Sequence, residues 1–366
     1  MDLNDASMAE LLKYAVSRKA SDLHIGDGIC PAIRVDGDLE TISQTPLTRE
    51  RILRLISENL LADRIKEFEK EKELDYSFGV PGVGRFRANL SWQRGNISAA
   101  IRALPLDPMG FEQIGFPLAV AENLVSKPSG LVLVTGPTGS GKTTTLAAMI
   151  DYINQTQAVH IVTIEDPIEI IFKNKMAMVK QREVGADTHS FTQALKHVLR
   201  QDPDVILIGE MRDLETVEIA LTVAETGHLV FATLHTPDAV QSINRVIDVF
   251  PAHQQQQVRV QLSFVLQAII SQQLLPRTGD GLVRAAEILL ANTAIRTLIR
   301  DSKSHQIYSA LQMGQREGMK TLNMSLVELV KANKISKEIA MSRSQDILEF
   351  ERLLGTGYGH GGHQHK

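Results

Sequence analysis

Residues 131–144 are Leu-Val-Leu-Val-Thr-Gly-Pro-Thr-Gly-Ser-Gly-Lys-Thr-Thr. An apolar, β-branched run is followed by the spacing Gly136-x-x-x-x-Gly141-Lys142-Thr143, which is typical of a phosphate-binding loop. The stretch from Lys142 to Ile150 is rich in helix formers, so the loop is predicted to join a strand to a helix. Because strand, loop, Lys-Thr pair and helix follow one another in the required order, we favour a nucleotide site over a glycine-rich surface turn.

The predicted loop has a chemical reason for each residue type. Glycines at positions 136, 139 and 141 permit positive φ angles, so that several backbone N–H groups can point at one phosphate. The helix that starts at Lys142 adds the positive end of its dipole. Lys142 is expected to reach the β- and γ-phosphates of ATP, and Thr143 is expected to ligate Mg²⁺. The predicted nucleotide-binding residues are Gly136, Pro137, Thr138, Gly139, Ser140, Gly141, Lys142, Thr143 and Thr144.

The composition indicates a two-domain, soluble protein of the cytosol. With 366 residues, 43% of them hydrophobic, the chain exceeds the usual size of one domain. The net charge of −4 does not indicate the strongly basic surface that is typical of nucleic-acid binding, so no nucleic-acid partner is expected. No signal-peptide pattern opens the chain and no long uninterrupted apolar run occurs, so no transmembrane segment is expected. Cys30 is the single cysteine, which excludes an internal disulfide and a multi-cysteine zinc site.

Residues 1–104 are predicted to form a small α+β domain. A first helix is predicted from apolar residues at helical spacing, namely Met8, Leu11, Leu12, Ala15 and Val16, and a second at Thr48–Glu71. Strands are predicted at Ser21–Ile25, in a hairpin that turns at Asp36-Gly37, and at Leu74–Phe78, Arg85–Trp92 and Ile97–Leu104. A linker over residues 105–115 is predicted from Pro105, Pro108 and Gly110.

Residues 116–354 are predicted to form an α/β domain. Strand candidates alternate with helices, at Leu131–Thr135, Val159–Ile164, Val205–Ile208 and Leu229–Leu234. This alternation predicts a parallel sheet covered by helices, with ligands at the carboxyl ends of its strands. After Gln254 the chain is predicted to be mostly helical, with one strand at Leu282–Leu290. The Gly/His-rich residues 355–366 are predicted to be disordered, with weak metal binding by His360, His363 and His365 as a minor alternative.

Two of the predicted strands end in carboxylates. Glu165 and Asp166 end one strand, and Glu210 follows another. One carboxylate at this edge could hold Mg²⁺, and another could orient or deprotonate the attacking water. Glu165 and Glu210 are both candidates for the base and for the metal site, and the sequence leaves their roles open. Glu169 and Asp213 fit a helix-capping role better.

Histidine and arginine side chains complete the candidate set. The strand between His228 and His235 carries a histidine at each end, and His235, at the carboxyl end, could sense the γ-phosphate; a structural role is equally expected for both. An arginine supplied across an interface can raise the rate roughly 10³–10⁵-fold. The candidates are Arg85 and Arg87 on one strand face, Arg102 on the next strand, and Arg200 at the end of the predicted helix Phe191–Arg200. For each arginine alone, an exposed or ion-paired role is the favoured alternative.

Taken together, these motifs resemble those of the secretion/pilus ATPase superfamily and, within it, the PilT family of type IV pilus retraction ATPases. Similar stretches cover nearly the whole chain: Ala20-Ser-Asp-Leu-His-Ile25 with Arg34-Val-Asp-Gly37, Gly136–Thr143 as Walker A, Thr163–Glu169 as the Asp box, Gly209–Asp213 as Walker B, and Thr226–Thr236 as the His box. The Walker B stretch departs from the commonest form, because Gly209 and Glu210 stand where an Asp-Glu pair is usual.

The resemblance implies a PAS-like N-terminal domain joined to a RecA-like ATPase domain with a helical C-terminal part. It also implies a homohexameric ring in which arginines of the small domain approach bound nucleotide; Arg87 and Arg102 occupy the matching strands. The implied function is ATP hydrolysis with Mg²⁺ that drives pilin depolymerisation, pilus retraction and twitching motility. The implied partner is a platform protein at the inner-membrane base of the pilus, through which the pilin filament is reached.

Two features favour retraction over assembly. Assembly and secretion relatives carry a four-cysteine zinc module and usually a longer N-terminal region, which one cysteine and residues 1–104 do not provide. Ala294–Asp301 resembles the retraction motif Ala-Ile-Arg-Asn-Leu-Ile-Arg-Glu, with departures at Thr297 and Asp301. The alternatives are an accessory retraction paralogue, a type II secretion or pilus assembly ATPase and, less favoured, a nucleic-acid translocase or an NTP-dependent switch.

The retraction-like stretch is predicted to be an amphipathic helix. Its apolar residues Ile295, Leu298 and Ile299 are spaced to bury one face. Arg296 and Arg300, four residues apart, are expected to share the outer face.

Overall fold

The computed structural model describes residues 5–35, 37–105 and 107–355. The N-terminal unit comprises Met1–Pro108 together with Pro167–Phe172, and the C-terminal unit comprises Met109–Asp166 and Lys173–Lys366. The predictions for residues 356–366, including the three histidines of the tail, lie outside the described residues. No helix in the described ranges combines the length and the apolar content that crossing a membrane requires.

The N-terminal unit is an antiparallel sheet with helices packed against it. Its helices are α1 (Met8–Ser17), α2 (Arg49–Ser57) and α3 (Ala62–Glu71), and its strands are β1 (Asp22–Gly26), β2 (Ala32–Val35), β3 (Asp38–Thr41), β4 (Glu73–Val80), β5 (Gly84–Gln93) and β6 (Asn96–Leu104). Within its described residues, six strands pair in the order β3-β2-β1-β6-β5-β4. Every pairing is antiparallel. The strands lie close to their predicted positions, and the unit has the predicted α+β composition.

The long second helix of the N-terminal unit is not continuous, which corrects one prediction. Helix α2 ends at Ser57 and α3 starts at Ala62. Asn59, a poor helix former, lies between them. The interruption leaves Leu60 in the core, whereas Leu61 is 78% exposed. Val16 was also expected on the buried face of α1 and is largely exposed instead.

The C-terminal unit contains a mostly parallel sheet. Its strands are β7 (Gly130–Thr135), β8 (His160–Glu165), β9 (Met178–Glu183), β10 (Val205–Ile208), β11 (Leu229–Leu234), β12 (Leu266–Pro276) and β13 (Leu282–Leu290). In the described residues these seven strands lie in the order β13-β12-β7-β11-β10-β8-β9. All neighbours are parallel except the pair β12 and β13. This is the predicted doubly covered sheet, with β7 near its centre.

Helices connect the strands of this sheet and extend beyond it. They are α4 (Leu118–Val125), α5 (Lys142–Thr156), α6 (Phe191–Val198), α7 (Leu214–Glu225), α8 (Ala239–Asp248), α9 (Ala252–Val265), α10 (Thr293–Arg300), α11 (Ile307–Met313), α12 (Leu322–Lys331), α13 (Lys337–Arg343) and α14 (Ile347–Leu354). The predicted helix at Phe191–Arg200 ends earlier, at Val198, and a short 3₁₀ turn covers Leu199–Gln201.

Two strands were not predicted, and each has a local reason. Strand β12 follows α9 directly, with no glycine or proline to mark the change at Leu266. Its residues Ser271 to Gln273 are polar, which hides the apolar pattern of a strand. Strand β9 carries Lys180, Gln181 and Arg182, because it lies at the edge of the sheet. The prediction that the chain after Gln254 is helical except for Leu282–Leu290 is therefore wrong at β12.

The segment predicted as a linker is divided between the two units at Pro108. In the C-terminal unit Phe111 and Phe116 are buried, and their rings lie 5.9 Å apart. Arg284 donates to the carbonyl oxygen of Gly115 at 2.7 Å and lies over the Phe116 ring. Burial lowers the pKa of Arg284 to about 10. Phe111, Gly115 and Phe116 therefore make their contacts within the C-terminal unit.

The two arginines of α10 have different environments, which corrects the expectation that they share an outer face. Arg296 is partly buried, and its guanidinium donates to the carbonyl oxygens of Ala291 and Ser263, each at 2.8 Å, and to that of Phe264. Ser263 and Phe264 lie in the last turn of α9, where carbonyl groups have no partner within the helix. Arg300 is exposed and lies 3.7 Å from Asp301. Arg296 therefore caps α9, and only Arg300 is available at the surface.

We predict that Arg296→Met destabilises the protein and that Arg300→Met does not. Losing the guanidinium leaves partly buried carbonyl groups without a donor, at a cost of about 1–3 kcal/mol. The Arg300 substitution should stay within about 0.5 kcal/mol of the wild type, as is usual for surface positions. Urea unfolding followed by circular dichroism measures both, and equal midpoints for the two variants would contradict the capping role.

Candidate active site

The phosphate-binding loop connects β7 to α5, as the sequence predicts. Gly136, Gly139 and Gly141 have φ angles of +141°, +76° and +85°. A Cβ atom at position 136 would lie 2.3 Å from the carbonyl oxygen of Gln272, so glycine is required there by space as well as by conformation. Gly141 is the N-cap of α5 and has no side chain to occupy the first N–H groups of the helix. The first turn of α5 can therefore bind an anion.

Lys142 and Thr143 follow Gly141 directly, in the first turn of α5. The Lys142 ammonium donates to the carbonyl oxygens of Gly136 at 2.9 Å and Pro137 at 3.0 Å. Pro137, Thr138 and Gly139 are exposed, and so is Thr143, whereas Ser140 is buried beneath the loop. Lys142 thus lies across the mouth of a loop whose outer residues are accessible.

Strand β12 holds the loop in place, and the sequence did not reveal it. The Gln272 amide donates to the carbonyl oxygen of Ser140 at 2.9 Å and accepts from the Thr145 hydroxyl at 2.9 Å. Next to it, Ser271 accepts from the Thr135 hydroxyl at 2.8 Å. All of these contacts are buried. One polar pair on β12 therefore ties together the end of β7, the loop and the start of α5.

Glu210 and His235 meet at the carboxyl edge of the sheet. A Glu210 oxygen accepts from Arg212 Nε at 2.7 Å and lies 3.1 Å from His235 Nε2. Burial raises the pKa of the Glu210 carboxyl, but the hydrogen bond from Arg212 and the charges of His235 and Arg212 outweigh it, so the pKa is lowered. Glu210 is therefore a carboxylate at neutral pH. Strand β10, which precedes it, is separated from β7 by one strand.

Glu165 has a different environment at the same edge. It is buried and accepts from the Thr163 hydroxyl at 2.6 Å and from the Gln181 amide at 3.1 Å. Its strand, β8, is separated from β7 by two strands. Asp213 is the N-cap of α7 and accepts from Thr216 N at 2.9 Å, as predicted for a capping carboxylate. Glu210 therefore has the strand position nearer the loop.

Two candidate residues lie at the opposite edge of the sheet. His228 precedes β11, and its Nδ1 lies 3.1 Å from the Val223 carbonyl oxygen at the end of α7. Arg200 lies in the 3₁₀ turn that precedes β10. Because β10 and β11 run parallel to β7, residues before these strands lie at the amino-terminal edge, away from the loop. The structure thus does not bring His228 or Arg200 to the loop of their own chain.

The arginines of the N-terminal unit form a patch with acidic partners. Arg87 and Arg102 are directly paired across β5 and β6. Arg102 Nε donates to Asp22 at 2.9 Å, and Arg87 lies 3.5 Å from Glu169 and 3.8 Å from Asp75. The Arg87 and Arg102 side chains are 40% and 67% exposed. Ion pairs between side chains as exposed as these contribute at most about 1 kcal/mol to the stability of the fold. The arginines can therefore exchange these partners for others.

Arg85 has a more fixed position on the same face of β5. It donates to the Ser77 hydroxyl at 2.7 Å and to the carbonyl oxygen of Ile168 at 3.2 Å. Ile168 and Glu169 are the last two residues of the Asp box, so β5 contacts the end of the Asp box through both Arg85 and Arg87. Glu169 is therefore an ion-pair partner, not a helix cap.

Comparison with known proteins places the whole chain in one group. The family model described as "Type II/IV secretion system protein" matches residues 5–353. The chain is 49% identical over 338 residues to the type IV pilus retraction ATPase PilT of Pseudomonas aeruginosa, covering 92% of this chain and 98% of that one. It is 47% identical over 317 residues to a twitching motility protein of Neisseria gonorrhoeae, covering 86% and 84%. The crystal structure of the pilus retraction motor PilT with bound ADP superposes with a TM-score of 0.89 at 52% identity, covering 95% of this chain and 100% of that one.

We predict that Gln272→Leu weakens ATP binding about tenfold or more, because the buried Ser140 carbonyl and Thr145 hydroxyl lose their partner and the loop loosens. The matched control is Gln273→Leu, on the next residue of the same strand, which should bind like the wild type. Titration with a fluorescent ATP analogue measures both dissociation constants. Wild-type affinity in the Gln272 variant would show that β12 does not hold the loop.

Proposed function

This chain belongs to the type II/IV secretion system protein family, as a PilT-like ATPase with a RecA-like domain, and on that premise we propose that it is a hexameric motor of type IV pilus retraction. The observation that carries the proposal is the convergence of three features at the carboxyl edge of one sheet: the loop after β7, Glu210 after β10 and His235 after β11. In the proposed site the loop binds the phosphates, Glu210 is the general base and His235 senses the γ-phosphate.

The loop would bind the phosphates of ATP. Backbone N–H groups of residues 136–144 and the first turn of α5 would surround the β-phosphate. Lys142 would leave the carbonyl oxygens of Gly136 and Pro137 and neutralise the β- and γ-phosphates. In this role Lys142 changes partners without any change of the backbone.

Mg²⁺ fits the oxygen donors at this edge. In the described residues no group of three His, Cys, Asp or Glu side chains could hold a metal ion alone. The ion would arrive with ATP and be held by the Thr143 hydroxyl and phosphate oxygens, with Glu165 or Glu210 through water. When bound, Mg²⁺ neutralises charge on the phosphates.

Glu210 is the proposed general base. It is a carboxylate at neutral pH, lies one strand nearer the loop than Glu165, and contacts His235. His235 would report the γ-phosphate to Glu210 through their 3.1 Å contact. Glu165, buried between Thr163 and Gln181, would support Mg²⁺ through water or share the role of base.

We predict that Glu210→Gln binds ATP but hydrolyses it at least about a hundredfold more slowly, the usual loss when general base catalysis is removed. Glu165→Gln should retain more activity. Phosphate release and nucleotide binding are measured on both variants. The two roles are reversed if Glu165→Gln shows the slow-hydrolysis phenotype and Glu210→Gln does not.

Arg87 and Arg102 are proposed to act on nucleotide bound by a neighbouring subunit of the ring. Their half-exposed ion pairs with Glu169, Asp75 and Asp22 are weak enough to be exchanged for phosphate oxygens. Such an exchange would couple ATP occupancy to domain movement.

A mixing experiment tests donation between subunits. Arg87→Ala or Arg102→Ala alone should lose turnover while still assembling, because the phosphate loop remains intact. Lys142→Ala alone should also be inactive. When an arginine variant is mixed with Lys142→Ala, some interfaces pair an intact loop with intact arginines, and ATPase activity should recover. No recovery at any mixing ratio argues against donation in trans.

The motor is proposed to work in the cytoplasm at the inner-membrane base of the pilus. ATP-driven movements of the homohexamer would act on a platform protein of that membrane, which would pass them to the pilin filament. Nucleic acid has no place in this proposal, in keeping with the net charge of −4.

Complementation of a retraction-deficient strain tests this function. The wild-type chain should restore twitching, whereas Lys142→Ala, expressed at the same level, should not. Failure of the wild type to restore twitching, with full ATPase activity in vitro, would favour an accessory retraction paralogue or an assembly or secretion ATPase. Strong stimulation of turnover by DNA would favour a translocase.

A further inference from the structure

A buried carboxylate lies at the start of α8, outside the site described above. Glu287 on β13 is only 3% exposed. Its Oε1 accepts a hydrogen bond from the backbone N–H of Ala239, the first residue of α8, at 2.8 Å. This N–H is one of those that a helix leaves without an internal partner, and the positive end of the helix dipole lies at the same place. Glu287 therefore fixes the first turn of α8.

Helix α8 starts immediately after the loop that carries the sensor. His235 contacts Glu210, and only residues 236–238 separate it from Ala239. Within this stretch the Thr236 hydroxyl lies 2.6 Å from the Ser242 hydroxyl, one turn into α8. A shift of the start of α8 would therefore move the backbone that holds His235.

Glu287 is also connected to the phosphate-binding loop through paired residues of strands β12 and β7. It lies opposite Ser271 on β12, and Ser271 lies beside Thr135, the last residue of β7 before Gly136. The Thr135 hydroxyl donates to Ser271 and accepts from Ser242 of α8 at 3.4 Å. One layer of buried polar side chains thus joins Glu287, the end of β7 and α8.

We propose that Glu287 is a positioning residue for ATP hydrolysis, which holds the start of α8 and thereby keeps His235 in place against Glu210. It does not contact the reacting atoms. Its role depends on hydrolysis at the loop and on the proposed sensor function of His235.

The charge of Glu287 changes close to neutral pH. Burial, together with the charges of Asp238 and Glu349, raises its pKa to about 7, against the lowering effect of the Ala239 hydrogen bond. The titratable groups that face it in the described residues are Asp238 at the start of α8, Glu349 on α14 and Tyr308 on α11. Ser271 of β12, its direct partner in the sheet, is uncharged.

These surroundings fix the sign of the pH dependence. Glu349 accepts from the Tyr308 hydroxyl at 2.6 Å and from Asn323, and in the described part of the chain no cation is among the groups that shift the pKa of Glu287. Below pH of about 7 the carboxyl group is protonated and becomes a weaker acceptor for the Ala239 N–H. Turnover should therefore fall as the pH is lowered through this range. Nucleotide affinity should not follow it, because the loop is held separately by Gln272.

The test uses Glu287→Gln in the full-length protein, because glutamine keeps the size and one acceptor oxygen but has no charge. At pH of about 8 its kcat should be about tenfold lower than that of the wild type, with KM little changed, and near pH 6 the two should converge. The step in kcat near pH 7 should be absent from the variant. Glu218→Gln, an exposed position on α7, is the matched control and should keep the wild-type profile.

Amide hydrogen exchange supplies a readout that is independent of activity. Peptides covering residues 235–242 should exchange faster in Glu287→Gln than in the wild type, while peptides of α5 should be unchanged. A kcat–pH profile and exchange rates identical to those of the wild type would overturn the positioning role. Uniformly faster exchange with equal losses in kcat and nucleotide affinity would show a general structural role instead.

The Lys142→Ala variant distinguishes an error in the proposed active site from an error in the role of Glu287. If Lys142→Ala keeps wild-type hydrolysis, the loop is not the site. If Lys142→Ala is inactive while Glu287→Gln follows the wild type at every pH, only the positioning role of Glu287 is wrong.

Discussion

The close approach of β12 to the phosphate-binding loop is the constraint on which the C-terminal unit depends. The carbonyl oxygen of Gln272 lies so near Gly136 that no side chain fits there, and the Gln272 amide binds both Ser140 and Thr145. These buried contacts fix the backbone of the loop between β7 and α5. Preorganisation of this kind reduces the ordering that nucleotide binding requires. Glu210 and His235 follow strands of the same sheet and lie at the same edge as the loop.

Much of this arrangement could be predicted from sequence, because its signals are local. The loop has a fixed spacing of glycines, and β7, β8, β10 and β11 are apolar runs bounded by polar residues. Strand β12 has no such boundary, and the polar residues that interrupt it are the ones that bind the loop. Arg296 and Glu287 likewise owe their roles to partners 33 and 48 residues away. No periodicity or motif near either residue indicates those partners.

Two groups of charged residues differ in their burial and in the partners that hold them. Glu287 and Arg296 are buried or partly buried, and each is held by backbone groups of a helix end. Contacts of this kind are costly to break because the buried partner is left without water or protein to replace the bond. Arg87 and Arg102 are instead exposed, with carboxylate partners that are easily replaced. Glu287 and Arg296 therefore fix helix ends, whereas the proposed trans-acting arginines can exchange their partners.

The most direct test of this account is a structure of the protein with Mg²⁺ and a non-hydrolysable ATP analogue. We expect Lys142 Nζ to move from the carbonyl oxygens of Gly136 and Pro137 to within about 3 Å of the phosphate oxygens. The Thr143 hydroxyl should ligate the metal ion, and the two Gln272 hydrogen bonds should remain. A nucleotide bound elsewhere, or a loop that refolds and breaks the Gln272 contacts, would contradict the claim that β12 preorganises a phosphate site.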